Sequence, residues 1–252
     1  MSERIGKINI IYLIMGCCLL WRAPSLAEEK LTIGVAANFM LPFEEISGQF
    51  EKEFKIRINA TYTSTGSLYA QIKNGAPYDL FLAADESTPQ RLLQEGLAAK
   101  PFVYARGKAV LWTANKQICA APDWQKALKM PEVKKISIAK PETAPYGAAA
   151  MTALAAVGME DLVKDRLVFA QDVVQSFQYA HTESVDMAFC ALSSALSKEG
   201  AKGCYFKVDQ APLIIQKACV VIGSKNKVTA EDFARFLCSP QARAIIKQYG
   251  YQ

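Results

Sequence analysis

Residues 61–72 read TYTSTGSLYAQI: an alternating run, then Thr63, Ser64, Thr65, Gly66 and Ser67, then a helical pattern. A hydroxyl-rich turn that opens a helix can cradle an anion, because first-turn N–H groups have no intrahelical acceptor and the dipole is positive there. The stretch contains no Lys, Arg or His, so an anion held there would be held by neutral donors. Ser and Thr are equally good N-caps, and a plain helix cap is the competing reading.

Three more turns have the same character: Ala36-Ala37-Asn38, Ala144-Pro145-Tyr146-Gly147 and Asp172-Val173. Each follows a β-like run and precedes a helical one. Residues 31–36 read as a buried strand, and Phe43, Ile46, Phe50 and Phe54 recur at helical spacing on one face. Pro42 suits the first turn of that helix, with Glu44 and Glu45 near its positive end. Residues 57–62 predict a strand, and the helix after the hydroxyl turn is expected to end at Asn74-Gly75. Residues 78–84 predict another strand, followed by a helix opened by Pro89 and stopped at Gly96.

The second half repeats this order. Strands are expected at 136–139, 167–170, 187–192 and 213–222, and helices at 147–157, from Asp172 to Phe177, at 230–237 and at 241–249. Strands alternating with helices predict an α/β fold with mostly parallel sheets covered on both faces. Ligands in such folds sit at the carboxyl ends of strands, beside helix N-termini. If each half folds as its own lobe, all four turns can face one cleft.

The chain has 252 residues, a formal net charge of +5 and seven cysteines. Its first 27 residues have the three parts of a secretory signal: a basic start (Arg4, Lys7), an apolar run at 8–21, and Ser25-Leu26-Ala27 as a cleavage site. Ile14-Met15-Gly16-Cys17 is a weaker rival, similar to a bacterial lipoprotein box. The charge is too slight for a nucleic-acid binder, and no basic stripe is present. Outside the leader stand Cys119, Cys190, Cys204, Cys219 and Cys238. An odd number leaves at least one unpaired, the pairing is open, and no CxxC or Cys/His cluster suggests a metal site.

Other residues are assigned bland roles. His181, the one histidine, is expected on a helix surface or loop, and Cys190 in a strand core. Asp79 and Asp85 stand at opposite ends of a strand and suit turns or caps. Asn59-Ala60-Thr61 matches a glycosylation sequon but belongs to a strand, while Tyr104 and Trp112 are expected to pack beside a crossover.

The segments VAANF, STGSLYAQIKNGAPYDLFLAAD, AKPETAPYGAAA and SPQARAIIKQYGY resemble, in order and spacing, the periplasmic molybdate-binding proteins of molybdate ABC importers. The resemblance implies a type II periplasmic-binding fold, two α/β lobes joined by two crossover strands and closing on an oxyanion. It implies lobe 1 at 28–110 and 214–252, and lobe 2 at 111–213. Its oxyanion-binding positions fall on Asn38, Thr65, Tyr146 and Val173, with Ala37 and Ser64 adjacent. Side chains would donate at Asn38 and Thr65, and backbone N–H groups at Thr65, Tyr146 and Val173. This chain departs from some members in having Asn38 for Ser, and Ala191 where they place a Tyr donor, so that hydroxyl is lost unless Tyr146 replaces it from the opposite wall.

The resemblance further implies a non-enzymatic, extracytoplasmic monomer that captures molybdate or tungstate and delivers it to a membrane permease. Molybdenum would be held only as the oxyanion, with no direct protein ligand and no cofactor. Sulfate or another tetrahedral oxyanion is the nearest alternative. An enzyme acting on a small anion, or a sensor domain that has lost its ligand, are rivals of another class. About six charge-assisted hydrogen bonds, each worth roughly 1.5–3 kcal/mol, hold a dianion without a buried counter-charge. A donor-only cage also rejects a protonated anion, whose proton finds no acceptor.

Overall fold

The apolar face formed by Phe43, Ile46 and Phe50 is fully buried, on a helix that runs Met40–Phe54. Phe54, the fourth residue at that spacing, stacks on Phe50 with ring centroids 4.3 Å apart yet stays 43% exposed. The chain turns away directly after it, through Lys55 in the left-handed region. The computed structural model describes residues 30–252, so the secretory leader, the cleavage position after Ala27 and Cys17 lie outside the described residues.

The chain begins with β1 (Lys30–Ala36), α1 (Met40–Phe54), β2 (Arg57–Thr63), α2 (Thr65–Lys73), β3 (Leu80–Leu82) and α3 (Ser87–Gln94). It continues through β4 (Phe102–Gly107), β5 (Ala109–Thr113), α4 (Trp124–Leu128), β6 (Ile136–Ala139), α5 (Pro145–Ala156) and α6 (Glu160–Val163). It ends with β7 (Leu167–Ala170), α7 (Val173–His181), β8 (Met187–Ala191), α8 (Leu192–Ala195), β9 (Cys204–Lys207), β10 (Ile214–Val220), α9 (Lys227–Leu237) and α10 (Pro240–Gln248).

The strands form two five-stranded sheets, in the orders β2-β1-β3-β10-β4 and β7-β6-β8-β5-β9. Within each sheet three strands run parallel, as the alternation of strand and helix requires. The remaining pairings are antiparallel and involve β10 in one sheet and β5 in the other, so both sheets are mixed. These antiparallel strands lie where the chain passes between sheets. Only Lys108 separates β4 from β5, and the return runs from β9 to β10.

Apolar side chains cover both faces of each sheet. Phe43, Phe50 and Phe233 pack on one face of the first sheet, and Leu68, Phe81 and Cys219 on the other. Leu111, Trp124 and Phe189 form one core of the second, and Trp112, Phe177 and Cys190 another. Each large buried side chain contributes about 1.5–3 kcal/mol through removal from water. The parallel strands β1, β2, β6 and β7 point their carboxyl ends at the space between the sheets, and each runs into one of the four turns.

Candidate functional site

Three helix starts define the site by the N–H groups they leave over. In α2, Ser64 is the N-cap: its Oγ accepts from Ser67 N at 3.4 Å, while Gly66 N donates to Thr143 O at 2.9 Å and Leu68 N to Ser64 O. The N–H of Thr65 remains. In α7, Asp172 Oδ1 accepts from Val174 N and Gln175 N, both at 2.9 Å, and Ser176 N reaches Asp172 O. The N–H of Val173 remains. In α5, Pro145 has no N–H and Ala148 N bonds Ala144 O, which leaves Tyr146 and Gly147. First-turn N–H groups have no intrahelical acceptor, so these donors are available to a guest.

Thr65, Tyr146 and Val173 line one small, tight cavity, together with Ala37, Asn38, Thr63, Ser64, Ala84, Ala144, Pro145 and Asp172. All six positions implied by the resemblance are therefore brought together, from both sheets. Each is at most 5% exposed. Among the described residues no Lys, Arg or His lines the cavity, and the one carboxylate that does, Asp172, is committed to the start of α7. The helix ends supply positive potential there. A wider cleft lies alongside and shares Ala84, Ala144 and Pro145 with the cavity.

The cap and donor readings of the hydroxyl turn fall on neighbouring residues. Ser64 caps, and its Oγ also lies 2.8 Å from Ser67 Oγ. Thr65 Oγ1 accepts from Ala84 N at 2.9 Å. A hydroxyl that accepts from a backbone N–H keeps its own hydrogen to donate, so this bond aims the Thr65 hydroxyl.

Asn38 and Tyr146 belong to a buried cluster beneath the cavity. Asn38 Nδ2 donates to Gln216 Oε1 at 2.9 Å and Tyr251 Oη at 3.2 Å, and lies 3.5 Å from Tyr146 Oη. Gln216 Nε2 donates to Tyr146 Oη at 3.3 Å, and Tyr104 Oη donates to Gln216 Oε1 at 2.8 Å. Asn38 O accepts from Ser193 Oγ at 2.9 Å and from Tyr251 Oη at 2.5 Å. Donation from Asn38 to a guest therefore competes with Gln216. The Tyr146 hydroxyl is held by the same cluster, and a Cβ placed on Gly107 would stand 2.0 Å from it. Burial pushes the Tyr104 and Tyr146 hydroxyls well above their ordinary range and that of Tyr251 up to about 12. All three are neutral donors at physiological pH.

Gln216, Tyr251 and Ser193 were not singled out by the sequence, and Thr63 was read only as part of the hydroxyl-rich turn. Gln216 had a signal, a lone amide inside the apolar segment IIQKACV. Tyr251 had none, because its position depends on the chain end pairing with β4 through Arg106 and Gln252. Tyr104, expected only to pack, contributes its hydroxyl to the cluster. Trp112 packs as expected, fully buried, with its Nε1 donating to Gly200 O.

The remaining residues stand apart from the cavity. His181 closes α7, beside Trp112 and Phe177. Asp79 is buried and accepts from Thr32 N, Ser224 Oγ and Asn226 Nδ2. Asp85 accepts from Thr88 N and Thr88 Oγ1 before α3, and burial raises its pKa. The open cysteine pairing resolves to Cys119–Cys204, with Cys190, Cys219 and Cys238 free.

Comparison with known proteins agrees with this architecture. Residues 31–252 match the family described as bacterial extracellular solute-binding protein. The molybdate-binding protein ModA of Azotobacter vinelandii is 37% identical over 250 residues, covering 97% of this chain and 98% of that one. ModA of Rhodobacter capsulatus is 33% identical, covering 95% and 92%. The solved structure of the A. vinelandii periplasmic molybdate-binding protein superposes with a TM-score of 0.82 at 33% identity, covering 88% of this chain and 98% of that one. No described helix is long and apolar enough to cross a membrane. The chain belongs to the bacterial extracellular solute-binding proteins and, within them, to the family of the ModA proteins.

Proposed function

We propose that this protein captures molybdate, or tungstate, outside the cytoplasm and hands it to the permease of an ABC importer. One observation carries the reading: the leftover N–H groups of Thr65, Tyr146 and Val173, from three helix starts on two sheets, meet at one cavity without a cation. The Thr65 hydroxyl adds a donor, and Asn38 adds another when its amide turns from Gln216 toward the guest. Ala37 and Ser64 shape the wall.

A dianion suits such a cage because each donor is neutral and desolvated at little expense, whereas a buried Arg or Lys would itself lose hydration. Molybdenum is contacted only through its oxygens, no cofactor takes part, and nothing is turned over. The two lobes divide near residues 110 and 213, so that ligand is gripped from both sides. Residues 1–27 act as the export signal, and the protein works as a periplasmic monomer without nucleic acid. The ModA relatives, named for molybdate, support the choice of guest.

Calorimetric titration of the purified protein with molybdate, tungstate, sulfate and phosphate tests the reading. Tight binding of the first two, with sulfate and phosphate weak, is the expected pattern. Preference for sulfate, or no heat with any of the four, would overturn it.

A further inference from the structure

We propose that Thr63 is an additional ligand-contacting residue of this cavity, supplying a hydroxyl donor to the bound oxyanion. Resting as it does on the oxyanion reading above, the proposal adds a position that the resemblance to the family does not supply.

Three consecutive hydroxyl residues end β2 and open α2, and their oxygens have different fates. Ser64 Oγ caps the helix and meets Ser67. Thr65 Oγ1 accepts from Ala84 N. Thr63 Oγ1 is buried and has no hydrogen-bond partner, although Thr63 is only 7% exposed and lines the cavity. Of the four buried side-chain atoms left unpaired among the described residues, in Thr63, Glu132, Ser137 and His181, Thr63 alone belongs to this lining.

Strand geometry explains how it comes to be there. Side chains alternate across β2, so Thr63 shares a face with Arg57, Asn59 and Thr61, which are exposed. Only at the carboxyl end does that face pass under cover. There Thr63 pairs in register with Ala36, directly before the turn that carries Ala37 and Asn38. A buried hydroxyl without a partner carries its full desolvation penalty, and buried polar side chains are nearly always satisfied. An anion oxygen in the cavity supplies the missing acceptor, and the hydroxyl, free of other duties, can donate to it.

The test uses the full chain, with molybdate affinity by calorimetry and ligand-free thermal stability measured together. Thr63→Val keeps shape and removes the hydroxyl. It should weaken molybdate binding by about ten- to a hundredfold, the equivalent of one bond to a charged group. Its ligand-free melting temperature should hold or rise, because no protein bond is lost. Thr63→Ser should restore affinity to within about threefold of wild type, the hydroxyl being kept. A merely structural Thr63 would show the reverse, with stability lost and affinity kept. Wild-type affinity in Thr63→Val, or loss in both variants alike, overturns the inference and leaves the oxyanion reading standing. Failure of the wild-type protein to bind molybdate removes both.

Discussion

Gly66 N donates to Thr143 O at 2.9 Å, a backbone hydrogen bond between the first turn of α2 and the loop that leads into α5. The two residues flank strands of different sheets, so the bond ties the two sheets together beside the cavity. The contact is close: a Cβ on Gly66 would lie 3.0 Å from Thr143 Cα and 3.1 Å from Thr143 O. Glycine is present here for approach, since its φ is not among the positive values recorded.

Gly66→Ala should therefore separate closure from folding. Ala is the better helix former by about 1 kcal/mol, so α2 and ligand-free stability should hold or improve. The closed form should lose population, and apparent affinity falls in proportion to the closed fraction. Small-angle scattering at saturating molybdate should show the variant more extended than wild type. Identical liganded profiles and equal affinities would show that the Gly66–Thr143 contact does not govern closure.

Two neighbouring substitutions should split the hydroxyl turn into its roles. Ser64→Ala removes the cap of α2 and should cost about 1 kcal/mol of folding stability with little change in affinity. Thr65→Val strips Ala84 N of its acceptor and the cavity of a donor. It should lose roughly 1–3 kcal/mol in stability and a similar amount in binding. Denaturant unfolding and calorimetry on both variants check this. Equal affinity in Thr65→Val and wild type would remove its hydroxyl from the site.

The contrast between these two residues shows what the sequence disclosed. Helix starts were legible at Ser64 and Asp172, residues whose chemistry suits an N-cap, whereas α5 opens at Pro145, two residues before the expected start at Gly147; the leftover N–H then follows by counting. Periodicity likewise exposed α1 and the four parallel strand ends. Elements short of a period were not legible: β4, β5, β9, α4, α6 and α8 gave no separate signal, and the strand read at 78–84 is Leu80–Leu82. Partners brought together by long-range folding were also hidden. Asn38 meets Gln216 and Tyr251 across 178 and 213 residues, and no local pattern encodes such a meeting. Thr63 was legible as part of the hydroxyl-rich turn, but that its hydroxyl is left unpaired while Ser64 caps and Thr65 meets Ala84 was not.

The disulfide offers a test confined to the second sheet. Cys119 and Cys204 are 85 residues apart in sequence and join the turn Ile118–Ala120 to β9 at the sheet edge. Neither lines the cavity. Cys119→Ser should lower unfolding free energy by about 2–4 kcal/mol, the usual effect of opening such a loop. Molybdate affinity should change little. Reducing agent should shift the wild-type melting temperature downward and leave that of the variant alone. A large drop in affinity on reduction would instead tie the bridge to the site.

The pH profile tests the uncharged cage directly. The groups beneath the cavity that titrate are tyrosines: Tyr104 and Tyr146, held well above their ordinary range by burial, and Tyr251, raised to about 12. Raised tyrosine values mean that folding favours the neutral form. Their contribution to stability is complete below the unfolded value of about 10, and is lost as pH rises through the folded value near 12 for Tyr251. Molybdate affinity should stay nearly flat between about pH 6 and 8, where histidine is the side chain whose ordinary value titrates, and His181 is not part of the lining. The tyrosine contribution to stability should fall only in the alkaline range. Tyr251→Phe should blunt that alkaline loss, because Asn38 O keeps its bond from Ser193 Oγ. Titrations at stepped pH, with denaturant unfolding at each step, check both parts. A steep change in affinity between about pH 6 and 8 would place a titrating group against the anion and overturn the neutral cage.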